Sequence, residues 1–127
     1  MYGIFVNDNE CPYASYIAWG IKTIETRSKN MLSALVGHRV AVVRTSNTCK
    51  PYIIGYVDIV RASRENSAFL SENRNKTRIP VGSKYDTPER WCYFLDNAET
   101  CLVYPLPKNA IRHGRSWCEW EEARPEC

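Results

Sequence analysis

Apolar and polar residues alternate along most of this chain, and the clearest departure from alternation comes early. Tyr2 to Val6 is a β-prone run closed by the turn formers Asn7-Asp8-Asn9. After it, Ala14, Ile17, Ala18 and Ile21 recur at helical spacing and make one apolar stripe. Pro12 suits a first helical turn, where its missing N–H costs nothing, and Gly20 suits a left-handed stop. The pattern therefore predicts a short helix over residues 12–19.

Alternation then resumes. Thr23-Ile24-Glu25-Thr26-Arg27 reads as a strand, and Gly37-His38-Arg39 turns into a strongly β-prone Val40–Thr45. Tyr52–Val60 follows, with Ile53, Gly55, Val57 and Ile59 on one face and Tyr52, Ile54, Tyr56 and Asp58 on the other. Ser63 is placed to cap a helical turn through Phe69 and Leu70. Residues 73–87, rich in Asn, Pro, Gly, Ser and Asp, read as a loop. Trp91–Leu95 and Leu102–Tyr104 are two further strands, with Pro105 and Pro107 ending the second, and Ser116–Trp120 is a closing strand. Several short strands with one early helix indicate an α+β domain, a mixed or antiparallel sheet curled into a small barrel beside the helix.

Length and composition narrow this picture. The chain has 127 residues and is 44% hydrophobic, enough for one domain with its own core over about residues 1–120, followed by a short acidic tail at 121–127. No run approaches the roughly 18 apolar residues of a bilayer span. Met1 to Asp8 has neither the basic start nor the apolar stretch of a signal peptide, so a cytoplasmic protein without membrane contact is expected. The cysteines stand at 11, 49, 92, 101, 118 and 127 with no C-x-x-C pair, far from His38 and His113. That leaves only weak support for zinc, and neither a metal nor a cofactor is expected. The thiols are expected to be reduced and mostly buried, with Cys127 the exposed one.

Charge is uneven. Residues 1–84 carry 12 basic and 6 acidic side chains, residues 85–127 carry 5 and 8. A positive part of a small domain suits a polyanionic partner.

The densest chemistry lies in Gly20-Ile21-Lys22-Thr23-Ile24-Glu25-Thr26-Arg27. In a strand, Glu25 and Arg27 share a face, roughly 7 Å apart along it, while Ile24 can enter the core. Lys22 stands beside them at the helix–strand junction. As bare pattern this is foremost a surface ion pair, worth under about 1 kcal/mol.

The same residues carry a resemblance. Gly-x-Lys-x-x-Glu-x-Arg after a short helix, here Gly20, Lys22, Glu25 and Arg27, resembles the signature of the ASCH family within the PUA-like superfamily. Gly37–Val42, Gly55–Val60, Trp91–Asn97 and Leu102–Pro107 are similar to its later segments, and Trp117 suits its closing aromatic. The resemblance implies a PUA-like barrel with a cleft between early helix and sheet, where members bind RNA or modified nucleosides and a few are hydrolases. One branch is similar to N4-acetylcytidine amidohydrolases, in which the lysine works with a threonine and a separate glutamate. This chain keeps Lys22 but has Glu25 in the threonine's place, and Asp58 or Glu72 are the candidates for a second acid.

Outside that segment, Arg74, Lys76, Arg78 and Lys84 lie in a stretch without acids, next to Tyr85. Cations for phosphates beside an aromatic for stacking is the composition of a single-strand binding edge, and equally of a solvated basic loop. Tyr13, Tyr16 and Trp19 lie off the helical stripe and are placed to line the cleft, whereas Trp91 and Trp117 suit the core and the two histidines suit turns. The leading expectation is a monomeric domain binding RNA or a modified nucleoside through Lys22, Glu25, Arg27, Trp19, Tyr56 and Tyr85, with the four basic residues on the backbone. The alternatives are a small hydrolase of such a ligand using Lys22 and Glu25, and a protein-interaction domain. No Ser-His-Asp set or P-loop is present to support other chemistry.

Overall fold

The apolar stripe on residues 14, 17 and 18 folds as expected, and the sheet is built to receive it. The computed structural model describes residues 1–121; Cys127 and the rest of the expected tail beyond Glu121 lie outside the described residues. In chain order the elements are β1 (Tyr2–Asn7), α1 (Tyr13–Ala18), β2 (Ile24–Arg27), a 3-10 turn (Ser33–Leu35), β3 (Arg39–Thr45), β4 (Tyr52–Asn66), α2 (Ser67–Glu72), α3 (Arg74–Thr77), β5 (Glu89–Pro105), β6 (Ile111–His113) and β7 (Trp117–Glu119). The fold is α+β, with strand order β2-β5-β4-β3-β1-β7-β6.

Only β1 and β3 run parallel, Tyr2 opposite Val40 through Asn7 opposite Thr45. Parallel strands need a crossover, and the segment holding α1 and β2 supplies it. Alternation along β1 and β3 then feeds two cores. Ile4, Val6, Val40 and Val42 meet Ala14, Ile17 and Ala18 of α1 on one face. Phe5, Ala41 and Val43 meet Ile53, Cys118 and Trp120 on the other. Where α1 crosses β4 there is room only for hydrogen: a Cβ on Gly55 would stand 2.4 Å from the Glu99 carbonyl oxygen and 2.9 Å from the Ala18 Cβ.

Several expectations are corrected. The sheet is not closed into a barrel: β2 and β6 are its edges among the described residues. β2 is four residues long, and charged side chains rather than a further strand occupy its free side. β4 runs on to Asn66 through Ser63, so the helix cap is Asn66, whose side chain accepts from the Phe69 amide at 3.0 Å. The two strands expected at 91–95 and 102–104 are one strand, β5. Bulges in the β4–β5 ladder break the alternation expected for 52–60, and Ile53 and Val57 end in different cores. Arg74–Thr77 is helical rather than loop, and His113 lies in β6. Ile21 leaves the stripe because α1 stops at Ala18 and Gly20, at φ 75°, turns the chain away. Trp91 and Trp117 are only half-buried against the core. Of the described cysteines, all free, Cys92 and Cys118 are buried and Cys49 is exposed. No helix among the described residues is long and apolar enough to cross a membrane.

Candidate functional site

The turn after α1 decides where Lys22 points. Gly20, Ile21 and Lys22 donate their amides back to the carbonyls of Ile17 and Tyr16, closing the helix tightly. The Thr23 amide then donates to the Lys76 carbonyl at 3.0 Å, and the Thr23 carbonyl accepts from Leu95 at 2.9 Å. β2 is thereby clamped between α3 and β5, and no further strand among the described residues pairs with its outer side. Lys22 folds inward and is 2% exposed.

Its ammonium donates to the Thr77 carbonyl, stands 3.5 Å from Glu25 Oε1, and lies 5.1 Å from the centre of the Tyr13 ring. Glu25, 7% exposed, accepts from its neighbour's amide, Thr26 N, at 3.1 Å and from Arg27 Nη2 at 3.1 Å. Arg27 Nη2 also donates to the Phe5 carbonyl at 2.7 Å. Burial disfavours the charged forms of Lys22 and Glu25, and the opposite charges beside them counter it. Burial pushes the Glu25 carboxyl up, but Arg27, Lys22 and the Thr26 amide outweigh it and hold the group below the usual carboxylate range. For Lys22 burial wins, and the ammonium is held below its ordinary value although Glu25 opposes the shift.

These side chains border a cavity of about 510 Å³ between β2, the 73–87 segment, β1 and the β6–β7 turn. Lys22, Arg27, Arg90, Arg112 and Arg115 line it against one carboxylate, Glu25. Arg90 is 7% exposed; its Nε donates to Thr26 Oγ1 at 2.7 Å, and burial pushes its guanidinium down. Arg112 lies 5.2 Å over the Phe5 ring. Tyr13 and Tyr85 form an aromatic wall, edge to face with centres 6.0 Å apart. The Tyr13 hydroxyl is buried and has no hydrogen-bond partner among the described residues. Burial, and after it the Cys11 thiol beside it, raises the Tyr13 phenol well above its ordinary value, so it stays a donor.

The structure thus brings Lys22, Glu25, Arg27 and Tyr85 together and leaves other expected residues elsewhere. Trp19 is 62% exposed and does not line the cavity. Tyr56 packs on the opposite face of the sheet, its hydroxyl 2.6 Å from that of Tyr104. Tyr16 is likewise not on the cavity wall. Arg74 is bound to Asp86 at 3.0 Å and Lys84 to Glu10 at 3.6 Å, while Lys76 and Arg78 face solvent. None of these four lines the cavity. Asp58 is tied to Arg39 at 3.0 Å and Glu72 is exposed, so neither supplies a second acid. Arg90, Arg112 and Arg115 were not foreseen. Arg112 and Arg115, three apart around His113, were the available signal, obscured by the acidic balance of residues 85–127. Among the described residues no three His, Cys, Asp or Glu converge on a possible metal position.

No family model matches the chain, and no curated protein matches it in sequence. Solved structures match it in fold. The ASCH protein of Zymomonas mobilis superposes with a TM-score of 0.72 at 17% identity, over 94% of this chain and 87% of that one. A tyrosine-to-phenylalanine variant of that protein gives a TM-score of 0.71 at 18% identity, covering 94% of this chain and 90% of its own. The fold is therefore the ASCH fold, as the Gly20–Arg27 segment implied.

Proposed function

We propose that this domain binds RNA or a modified nucleoside, with one nucleotide unit held in the cavity beside Lys22, Glu25 and Arg27. The observation that carries the reading is the cavity itself: five cations and one carboxylate, beside the Tyr13 and Tyr85 rings. At about 510 Å³ the space falls within the range of small-molecule sites, roughly 300–1,000 Å³. Guanidinium groups match phosphate oxygens in charge and planar geometry. Arg112 on β6 and Arg115 on the β6–β7 turn, both exposed, suit that role. Glu25 accepts only, and Oε2 keeps a lone pair beyond its bond to Arg27, which suits a donating base edge such as an exocyclic amine.

Hydrolysis of the bound nucleoside is a second reading, favoured by one observation: burial lowers the Lys22 ammonium toward the range of acid–base catalysis, 3.5 Å from Glu25. Against it, the amine is already committed to Thr77 and Glu25. Incubation with a panel of modified nucleosides and short RNAs, reading both bound ligand and product, separates the cases. Bound ligand without product is expected. Product formation makes the domain a hydrolase, and neither binding nor product leaves a protein-interaction role.

A further inference from the structure

A second cavity, of about 330 Å³, adjoins the first. Ser28 and Arg90 belong to the walls of both. Beyond that partition lie Lys29, Arg64 and Trp91. We propose that this second cavity is a subsite for the neighbouring nucleotide of a single strand, so that the ligand is a dinucleotide or longer rather than a free nucleoside. Such a subsite rests on the reading of the first cavity as a nucleotide site.

Three observations carry it. Arg90 is a fixed partition: its Nε and Nη2 donate to Thr26 at 2.7 and 3.4 Å, and Nη1 donates to Thr87 at 3.4 Å. A ligand spanning both spaces passes it at Ser28, whose exposed position leaves a hydroxyl on the rim. Trp91 pairs with Arg27 across the β2–β5 ladder, so both side chains rise from one face. Trp91, half-buried, is a wall residue of the second cavity, and its indole suits stacking by a base. Lys29 is exposed and in no ion pair among the described residues, and Arg64 is paired with Glu89 at the rim. Lys29 is thus the cation available for the second phosphate. A paired duplex cannot send successive bases into two separate cavities, whereas a single strand can splay them.

The test compares each ribonucleoside 5′-monophosphate with the matching 5′-phosphorylated dinucleotide, by calorimetric titration on the full chain. The dinucleotide should bind about tenfold more tightly, the effect of one stacked base. Trp91→Ala should remove most of that ratio, and Lys29→Ala, which changes an exposed side chain, should cut it about threefold. If monophosphates bind and dinucleotides bind no better, the subsite is refuted while the first cavity stands as a nucleotide site. A tighter dinucleotide whose advantage survives both substitutions also refutes it. If neither ligand binds, the nucleotide reading itself fails and takes the subsite with it.

Discussion

Arg27 Nη2 donates to the Phe5 carbonyl at 2.7 Å, and this one bond joins the edge strand β2 to β1, its non-neighbour in the sheet. β7 pairs with β1 only as far as Ile4, and the Phe5 amide donates to Ser116 at 3.0 Å, where β7 has not yet begun. In a strand the N–H and C=O of one residue point to the same side, so the Phe5 carbonyl faces where the next ladder partner would lie. A guanidinium takes that place. Where another strand would complete a barrel, the domain has a charged side chain and a cavity behind it, and this is why the open edge and the candidate site coincide.

Glu25 joins the two cations to each other. Glu25→Gln leaves Lys22 buried with its charge uncompensated, and breaking a buried pair this way costs about 3–5 kcal/mol. Urea unfolding should show a lower midpoint with an unchanged slope. A change under about 0.5 kcal/mol would place the trio in bulk solvent.

Acid should remove the same contribution. Because Glu25 is held below the ordinary 4.5 when folded, the unfolded chain binds more protons near that value, and stability falls as pH drops. The contribution is complete above the ordinary value and lost as pH falls through the folded one. The gap in unfolding midpoint between wild type and Glu25→Gln should therefore be constant from pH 7 to pH 5 and narrow below that. A gap that widens in acid would mean that folding raises the Glu25 carboxyl instead of lowering it.

Tyr13→Phe separates a binding role from a structural one. The hydroxyl is buried without a partner, so its removal relieves desolvation and should raise unfolding stability by about 1 kcal/mol. Ligand affinity should change by less than about twofold, because the hydroxyl is closed off from the cavity and only the ring lines it. If stability drops instead, the hydroxyl is satisfied inside the protein.

Gly55→Ala tests the seating of α1. The added methyl would meet the Glu99 carbonyl oxygen at 2.4 Å, and that backbone is held in the β4–β5 ladder. Overpacking of this kind costs about 1–3 kcal/mol or more, read as a lower melting temperature. A neutral outcome would mean that α1 and β5 stand further apart.

What could be read from the chain follows from how local each feature is. The stripe of Ala14, Ile17 and Ala18 and the alternation of Ile24, Glu25 and Arg27 each lie within a few residues, and α1 and the charged trio were foreseeable. β5 was not, because Asp96 to Thr100 is polar enough to read as a loop. It is held extended by pairs such as Tyr56 with Glu99 and Gly55 with Thr100, and Asn97 takes φ 53° to pass a bulge. The basic residues of 74–84 stand out in the sequence by their spacing, yet Arg74 is tied to Asp86, and the clamp on β2 and Lys22 uses the backbone of Lys76 and Thr77. The other cations that line the cavity, Arg90, Arg112 and Arg115, come from β5, β6 and the β6–β7 turn, and only the curl of the sheet brings them to β2.

The most direct measurement is the salt dependence of binding. Titrate a short single-stranded RNA at several salt concentrations against wild type, Arg112→Ala, Arg115→Ala and Lys76→Ala. Removing a cation that neutralises one phosphate should lower the slope of log K against log salt by about 0.7. A cavity-centred site predicts that reduction for Arg112→Ala and Arg115→Ala and an unchanged slope for Lys76→Ala. A reduction for Lys76→Ala with wild-type slopes for both arginine variants would move the binding surface to the 73–87 segment and contradict the assignment of the cavity.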